Sequence, residues 1–485
     1  MTPHDNPHHA RRWAILAILG LAQLMVVLDA TIVNIALPSA QASLGFSDES
    51  RQWIVTAYAL AFGSLLLLGG RIGDLVGRKT VFIVGLIGFA LASAIGGAAG
   101  SFGVLVGARA LQGVFGALLA PAALSLLTTT FVDPKERNTA FGVFGAIAGS
   151  GAAVGLLLGG VLTEYLSWRW CLYVNLVFAA VAAGGAWTLL HNQVPAERPR
   201  LDIPGTITAS TGLFGLVYGF SHAETNGWTS PLTLVALGAA AVLLVAFVAL
   251  QHRVAHPLLP LHVVLDRTRG GSYLALALAG AGIFGVFLFL TYYLQQNLGF
   301  SPIRTGLAFL PMTTLIMITA TVATTKLVPR LGARPMVVTG MALGVVGMVY
   351  LAQLDVGSAY ATGVLPALLI MGPGLGLIFA TCINNATAGV EAKDAGVASA
   401  TVNTMQQVGG SVGTALLSTL AASASDSFLA GRAPSPAVLA QASIESYTTV
   451  FWWAGAIFAL GMVACGLLLR GGPAPEPAPG AAPAL

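Results

Sequence analysis

Long apolar runs alternate with short polar breaks along almost the whole chain. Six runs come first, near 14–38, 52–70, 79–100, 102–130, 138–162 and 170–191. Two follow near 203–221 and 231–251, and six more near 271–296, 304–325, 335–354, 359–382, 396–422 and 447–469. A helix needs about 20 mostly apolar residues to cross a hydrocarbon core, so the pattern predicts fourteen membrane-spanning helices. Helices are the expected form because backbone N–H and C=O groups in lipid must bond within their own segment. The 102–130 run exceeds the minimum and predicts a tilted or extended helix. Outside the runs, 1–13 reads as a short polar tail and 471–485 as a disordered one rich in Pro and Ala. The longest polar connection, 423–446, is expected to form a small cap.

Of 485 residues, 56% are hydrophobic and 8% charged, against about 25% charged in soluble domains. So few charges cannot cover a water-exposed surface, which makes the lipid bilayer a partner of most of the exterior. The 59 glycines fit helices that approach one another closely in a membrane. Cys171, Cys382 and Cys465 have neither metal-site nor disulfide spacing and read as apolar fillers. The sequence holds no Gly-x-x-x-x-Gly-Lys loop, no His-Glu-x-x-His pair and no nucleophile elbow. It therefore predicts no ATP drive, no cofactor and no enzyme. The first apolar run is too long for a cleavable leader and is expected to remain as a helix.

The formal net charge is +4, and its distribution is more informative than its sign. Seventeen basic residues fall in one alternating set of connections, while the other set holds only Arg51, Arg169, Arg304 and Arg432. Arg109 lies inside a run. Basic loops stay in the cytoplasm, so both termini are expected there, in a cell membrane, with an even number of spans. The basic excess then needs no nucleic-acid partner.

The connection 71–79 reads Arg-Ile-Gly-Asp-Leu-Val-Gly-Arg-Lys, and 326–334 reads Lys-Leu-Val-Pro-Arg-Leu-Gly-Ala-Arg. Arg71 matches Lys326, Gly77 matches Gly332 and Lys79 matches Arg334. Weak internal symmetry of this kind marks transporters built from repeated halves. It predicts two pseudo-symmetric six-helix bundles, 14–191 and 271–470, with an inserted helix pair, 203–251, between linkers 192–202 and 252–270.

Asp29 is the only charge in the first run. An ionised carboxylate at bilayer depth costs several kcal/mol or more, and by default it marks an ion or substrate path. Arg109 supplies the matching base, and pairing offsets the desolvation of both. Such a pair can exchange a proton when substrate or conformation disturbs it. The expectation is that Asp29 takes a proton on one side and releases it on the other, the proton being the coupling ion.

Gln112 and Gly113 follow Arg109 at i+3 and i+4 and share its face, which suits either a cavity wall or a close helix contact. Gly145, Gly149, Ala152, Gly155 and Gly159 recur every three or four residues, with Gly160 alongside. That ridge lets another helix approach, either to pack or to slide. Gly372, Pro373, Gly374 and Gly376 offer a similar surface in the second half. In the 71–79 connection, Gly77 permits a tight turn. Asp74 is placed to pair with a neighbouring base and to favour the positive end of a helix starting near Ala395. Cargo contacts are expected among Asn34, Gln112, Phe115, Tyr292, Asn384, Asn403 and Gln406, since such pockets are mostly apolar with a few polar anchors. Asn403, Gln406 and Gln407 form one polar stripe.

Four segments carry a family resemblance. They are 28–38 (Leu-Asp-Ala-Thr-Ile-Val-Asn-Ile-Ala-Leu-Pro), Gly70 with 71–79, the stretch from Arg109 to Ala117, and the glycine ridge running on to Trp168, Arg169, Trp170 and Asn175. Together they resemble the major facilitator superfamily in its fourteen-helix drug:proton antiporter branch, over nearly the whole chain. The resemblance implies proton-driven export by alternating access. It makes Gly70, Arg71, Asp74, Gly77, Arg78 and Lys79 a gating motif that latches the outward-open state. It also makes Gly145, Gly149, Gly155, Gly159 and Gly160 the antiporter motif. Two positions depart from the branch: Leu156 follows Gly155 where a proline is usual, and the 396–422 run holds amides in place of further acids.

The expected protein is a monomeric secondary transporter that exports hydrophobic or cationic drugs, antibiotics or toxic compounds. A dedicated exporter of one antibiotic or metabolite shares every one of these features. A membrane sensor or scaffold would gain little from buried charge.

Overall fold

The computed structural model describes residues 11–47, 50–131, 133–191, 202–254, 257–387, 390, 395–433 and 435–472. Among them, regular structure is entirely helical. The first half comprises α1 (Arg12–Leu44), α2 (Gln52–Val76), α3 (Arg78–Gly97), α4 (Phe102–Thr130), α5 (Pro134–Tyr165) and α6 (Trp170–Leu189). The pair α7 (Ile203–Asn226) and α8 (Pro231–Gln251) follows. The second half comprises α9 (Arg267–Tyr292), α10 (Pro302–Val322), α11 (Ala333–Leu351), α12 (Leu365–Thr387), α13 (Ala395–Leu429) and α14 (Pro436–Leu468).

Local chemistry sets many of the starts. Ser101, Asp202, Asp266, Ser301 and Ser435 each accept a hydrogen bond from a backbone N–H in the first turn that follows. Pro302 and Pro436 stand just after their caps, where a missing N–H costs nothing. Ten of the helices are apolar and long enough to cross a membrane by length and composition. These ten are counted among the described residues, and α2 and α5 add the shorter apolar stretches Gln52–Leu66 and Ala153–Tyr165.

The packing repeats between the halves. α1 lies on α5 and α6 as α9 lies on α13 and α14; α4 crosses α2 and α3 as α12 crosses α10 and α11. The halves meet where α2 lies on α13 and where α5 lies on α10, two contacts exchanged by the same two-fold relation. The inserted pair packs mainly on itself, with α7 against α2 and α13. Gly77 (φ 103°) and Gly332 (φ 81°) occupy equivalent breaks in the left-handed half of backbone space, which explains the matched glycines of the two motifs.

Three expectations about connections need correction. The 423–446 segment forms no separate cap: α13 continues to Leu429 and α14 already begins at Pro436, because Ser435 and Pro436 start the helix there. The 71–79 motif is mostly helix, with α2 running to Val76 and Gly77 as the only break before α3. The 252–270 linker holds a helical turn, Leu261–Val264, and α9 starts inside it at Arg267. Residues 1–10, 192–201 and 473–485, where the tails and the first linker were expected, lie outside the described residues.

Candidate functional site

Asp29 sits near the middle of α1 and its side chain is fully buried. Arg109 Nη1 lies 2.6 Å from Asp29 Oδ2. The guanidinium also donates through Nη1 to Gln112 Oε1 at 2.7 Å and through Nε to the Ile54 carbonyl at 3.2 Å. The ring of Tyr58 stacks on it, with its centroid 4.5 Å from the guanidinium carbon. Asp29 Oδ1 accepts from Gln112 Nε2 at 2.9 Å and from Asn175 Nδ2 at 2.7 Å. The same two amides donate to Ser93 Oγ at 2.7 and 3.3 Å, and Ser93 donates to the Phe89 carbonyl at 2.8 Å.

The network therefore ties α1, α2, α3, α4 and α6 through one carboxylate. Arg109 stays charged in any protein setting. Three N–H donors are directed at the carboxylate. A small apolar cavity reaches the guanidinium from the ends of α4 and α6 that lie away from the chain termini. Val33, Ala36, Ile54, Leu105, Trp168 and Leu172 line it, among others. Among the described residues, Asp29 and the helix cap Asp202 are the only buried acids.

Sequence reasoning brought Asp29 and Arg109 together, named Asn175 only as part of a resemblance segment, and passed over Ser93. The available signal was their isolation: Asn175 is the only amide in α6, and Ser93 is one of few hydrogen-bonding side chains in α3.

The 71–79 motif is anchored at two points. Arg71 donates to the Pro257 carbonyl at 3.1 Å, which ties α2 to the chain leaving the inserted pair. Lys79 donates to the carbonyls of Trp187 and Leu190 at 2.9 and 2.6 Å and so caps the C-terminus of α6. Gly70 lies beside Pro121, and Arg78 is half-buried at the start of α3. The side chain of Asp74 lies outside the described residues. Pro257 is itself held in place, because buried Asp202 accepts from Gly205 N, Leu258 N and Gln251 Nε2. Asp202→Ala leaves those donors unmatched, and each buried orphan costs about 1–3 kcal/mol. The variant is expected to unfold at lower temperature in a detergent melt, with the inserted pair loosened from α2.

The glycine ridge of α5 divides. A Cβ added at Gly155 would lie 2.0 Å from Thr31 Oγ1, and one at Gly159 would lie 2.8 Å from Ile32. Both glycines therefore seat α5 on α1, within one half. Gly160 faces the other half, where a Cβ would lie 2.6 Å from the Ile303 backbone, and Gly306 approaches the Leu156 carbonyl in the same way. Gly145 and Gly149 lie in α5, outside the residues whose surroundings are described. Gly113 brings α4 onto the Tyr58 carbonyl of α2, so the face beyond Gln112 is a close helix contact rather than a cavity wall.

At the ends away from the termini the halves are bolted together. Tyr292 donates to Gln41 Oε1 at 2.8 Å, Gln295 to the Ile35 carbonyl at 3.2 Å, and the Ile303 N–H to Glu164 at 3.0 Å. Arg51, only 8% exposed, lies 3.9 Å from the Tyr292 ring centroid. A cation–π contact contributes about 0.5–2 kcal/mol. Arg51→Gln should raise the population open at this face about 2- to 30-fold, read as a longer distance between spin labels on these ends of α1 and α9.

The other contact candidates are not gathered in one place. Asn34 is buried and donates to the Ala30 carbonyl of its own helix. Phe115 lies against Gly88 of α3. Asn384 and Gln406 are half-buried and Asn403 is exposed. The backbone of α13 at Gln406 meets Gly280 of α9, whereas Gln407 meets Gly63 of α2, so the amide stripe stands beside the seam between halves.

Residues 19–414 match the Major Facilitator Superfamily. The puromycin resistance protein pur8 of Streptomyces alboniger is 48% identical over 95% of this chain and 92% of its own length. The cephamycin export protein CmcT of Amycolatopsis lactamdurans is 38% identical, over 88% and 87%. Among solved structures, an auto-inhibited POT family peptide transporter aligns with a TM-score of 0.68 at 16% identity, covering 94% of this chain and 96% of that one. That likeness concerns the fold alone. With its apolar helices, paired halves and a match over most of its length, this chain is a multi-pass membrane transporter for a small molecule and belongs to the Major Facilitator Superfamily.

Proposed function

We propose that the protein is a proton-driven exporter of hydrophobic or cationic drugs and antibiotics, working by alternating access, as a monomer in the cell membrane, without nucleic acid. Residues 14–191 and 271–470 act as the two moving bundles, with 203–251 riding between them. Both termini are cytoplasmic, in line with the basic residues of the connections. The bolted face is then external, and the seam opens inward when the halves tilt.

One observation carries the coupling. Asp29 and Arg109 form the only ion pair at mid-depth among the described residues, sealed within the first half. In this reading Asp29 receives its proton from outside, along the cavity that ends at Arg109, and releases it inward. Arg71, Gly77 and Lys79, with Gly70, Asp74 and Arg78, set the gate at the inner ends of α2 and α3. Gly155 and Gly159 keep α1 fixed on α5 while Gly160 moves against α10. Cargo binds along the seam, where Asn403 and Gln406 are the polar anchors.

The names of the relatives support antibiotic export: one confers puromycin resistance, one exports cephamycin, and one confers lincomycin resistance. They favour equally a second reading, an exporter dedicated to one compound. A panel of chemically unrelated antibiotics tested on expressing cells separates the two. Raised tolerance to several classes supports broad export, tolerance to one supports the dedicated exporter, and unchanged tolerance to all contradicts both.

A further inference from the structure

One atom of the Asp29 network has no partner. Asn175 Oδ1 is fully buried and accepts no hydrogen bond among the described residues, although Nδ2 of the same amide donates to Asp29 Oδ1 and Ser93 Oγ. Buried polar atoms are nearly always matched, so an orphan of this kind calls for a reason.

The donors supply one. Arg109, Gln112 and Asn175 all point N–H groups at the carboxylate. Once Asp29 binds a proton, its O–H needs an acceptor. Arg109 has none to offer. Gln112 cannot turn over, because its Oε1 already accepts from Arg109 at 2.7 Å and a turned amide would face the guanidinium with N–H groups. Ser93 Oγ already accepts from two amides and donates to Phe89. Asn175 alone holds an uncommitted acceptor. Half a turn about its terminal torsion, which is broad and roughly two-fold, puts Oδ1 where Nδ2 now meets Asp29.

We propose that Asn175 is the positioning residue that allows Asp29 to carry a proton: its amide donates to the ionised carboxylate and, turned over, accepts from the neutral carboxyl. A proton from water adds to Asp29 Oδ1 and forms the O–H bond, while Arg109 keeps its charge. The reverse turn restores the carboxylate as the proton leaves to water on the other side. The titratable groups facing this centre are Arg109 of α4, Tyr58 of α2 and Cys171 of α6. The neighbouring stretches of α3 and α5 carry none in sequence. Tyr292 of α9 donates to Gln41 of α1, and Glu164 and Arg304 lie at the same end of the helices. The proposal rests on the reading of Asp29 as proton carrier and deepens it.

Infrared difference spectra of the reconstituted protein, taken between acid and alkaline pH, test both. The Asp29 carboxyl band is the one missing in Asp29→Asn. In Asn175→Val the O–H has no acceptor, so that band should move to higher wavenumber and proton-driven efflux should fall about tenfold, the scale of one lost buried hydrogen bond. Asn175→Thr, whose hydroxyl both donates and accepts, should keep the band and most of the efflux. A band unmoved in Asn175→Val overturns the proposal. A wild type whose carboxyl bands equal those of Asp29→Asn at every pH overturns the proton-carrier reading instead. Should the valine variant not insert, isotope-labelled asparagine gives a second readout from the wild type and Asn175→Thr. One side-chain carbonyl band should shift between the two pH values in the wild type only, and its absence overturns the proposal.

Discussion

Asp29→Asn is expected to abolish proton-driven accumulation while leaving the protein inserted in the membrane. One proton moving inward under 100 mV supplies about 2.3 kcal/mol, enough for a gradient of roughly 50-fold in a neutral cargo, while a monovalent cation is driven by the pH difference alone. Asparagine cannot bind and release that proton, so in energised vesicles the gradient should collapse to none. Insertion should survive because Arg109 keeps the Gln112 oxygen, the Ile54 carbonyl and the new side-chain oxygen. Uptake of a lipophilic cationic dye into inverted vesicles with an imposed pH gradient reads the effect directly. A variant that still builds the wild-type gradient removes Asp29 from the coupling.

Arg109→Ala is expected to be the most destabilising single change in the first half. It leaves a carboxylate that is 0% exposed without its counter-charge, and stranding one partner of a buried pair costs about 3–5 kcal/mol. It also removes a donor to the Ile54 carbonyl and the cation beneath Tyr58. The double variant Asp29→Asn/Arg109→Gln removes both charges and keeps hydrogen-bonding groups in place. It should recover most of the lost thermal stability in a detergent melt, yet remain inactive in coupled efflux. Recovery of neither stability nor insertion would mean that the pair holds the helices together by more than charge compensation.

Much of this was legible in the sequence, for identifiable physical reasons. Apolar length against bilayer thickness gave the fourteen long helices, since lipid leaves a chain little choice but helix. The matched Gly77 and Gly332 marked the two halves because each needs positive φ at the same break. Asp29 and Arg109 stood out because isolated charge is rare at depth. What escaped was everything set by helix rotation rather than by composition. Ser93 and Asn175 look like ordinary small polar residues until α3 and α6 turn them onto the carboxylate. Gly155 and Gly160 look like one ridge, but they face opposite halves. Phe115 and Tyr292 resemble pocket aromatics, yet one fills a gap over Gly88 and the other bolts the seam at the ends away from the termini. The connection 423–446 seemed polar enough for a cap, and the Ser435–Pro436 start made it helix instead.

The most direct test of the central claim is proton movement driven by cargo alone. Purified protein is reconstituted into liposomes that hold a pH-sensitive dye, with the membrane potential clamped at zero and no initial pH difference. Imposing a gradient of a transported compound should drive protons against the cargo flow and shift the internal pH in the wild type, with no shift in Asp29→Asn. Cargo movement in the wild type without any pH change, or an equal pH change in the variant, would contradict the account.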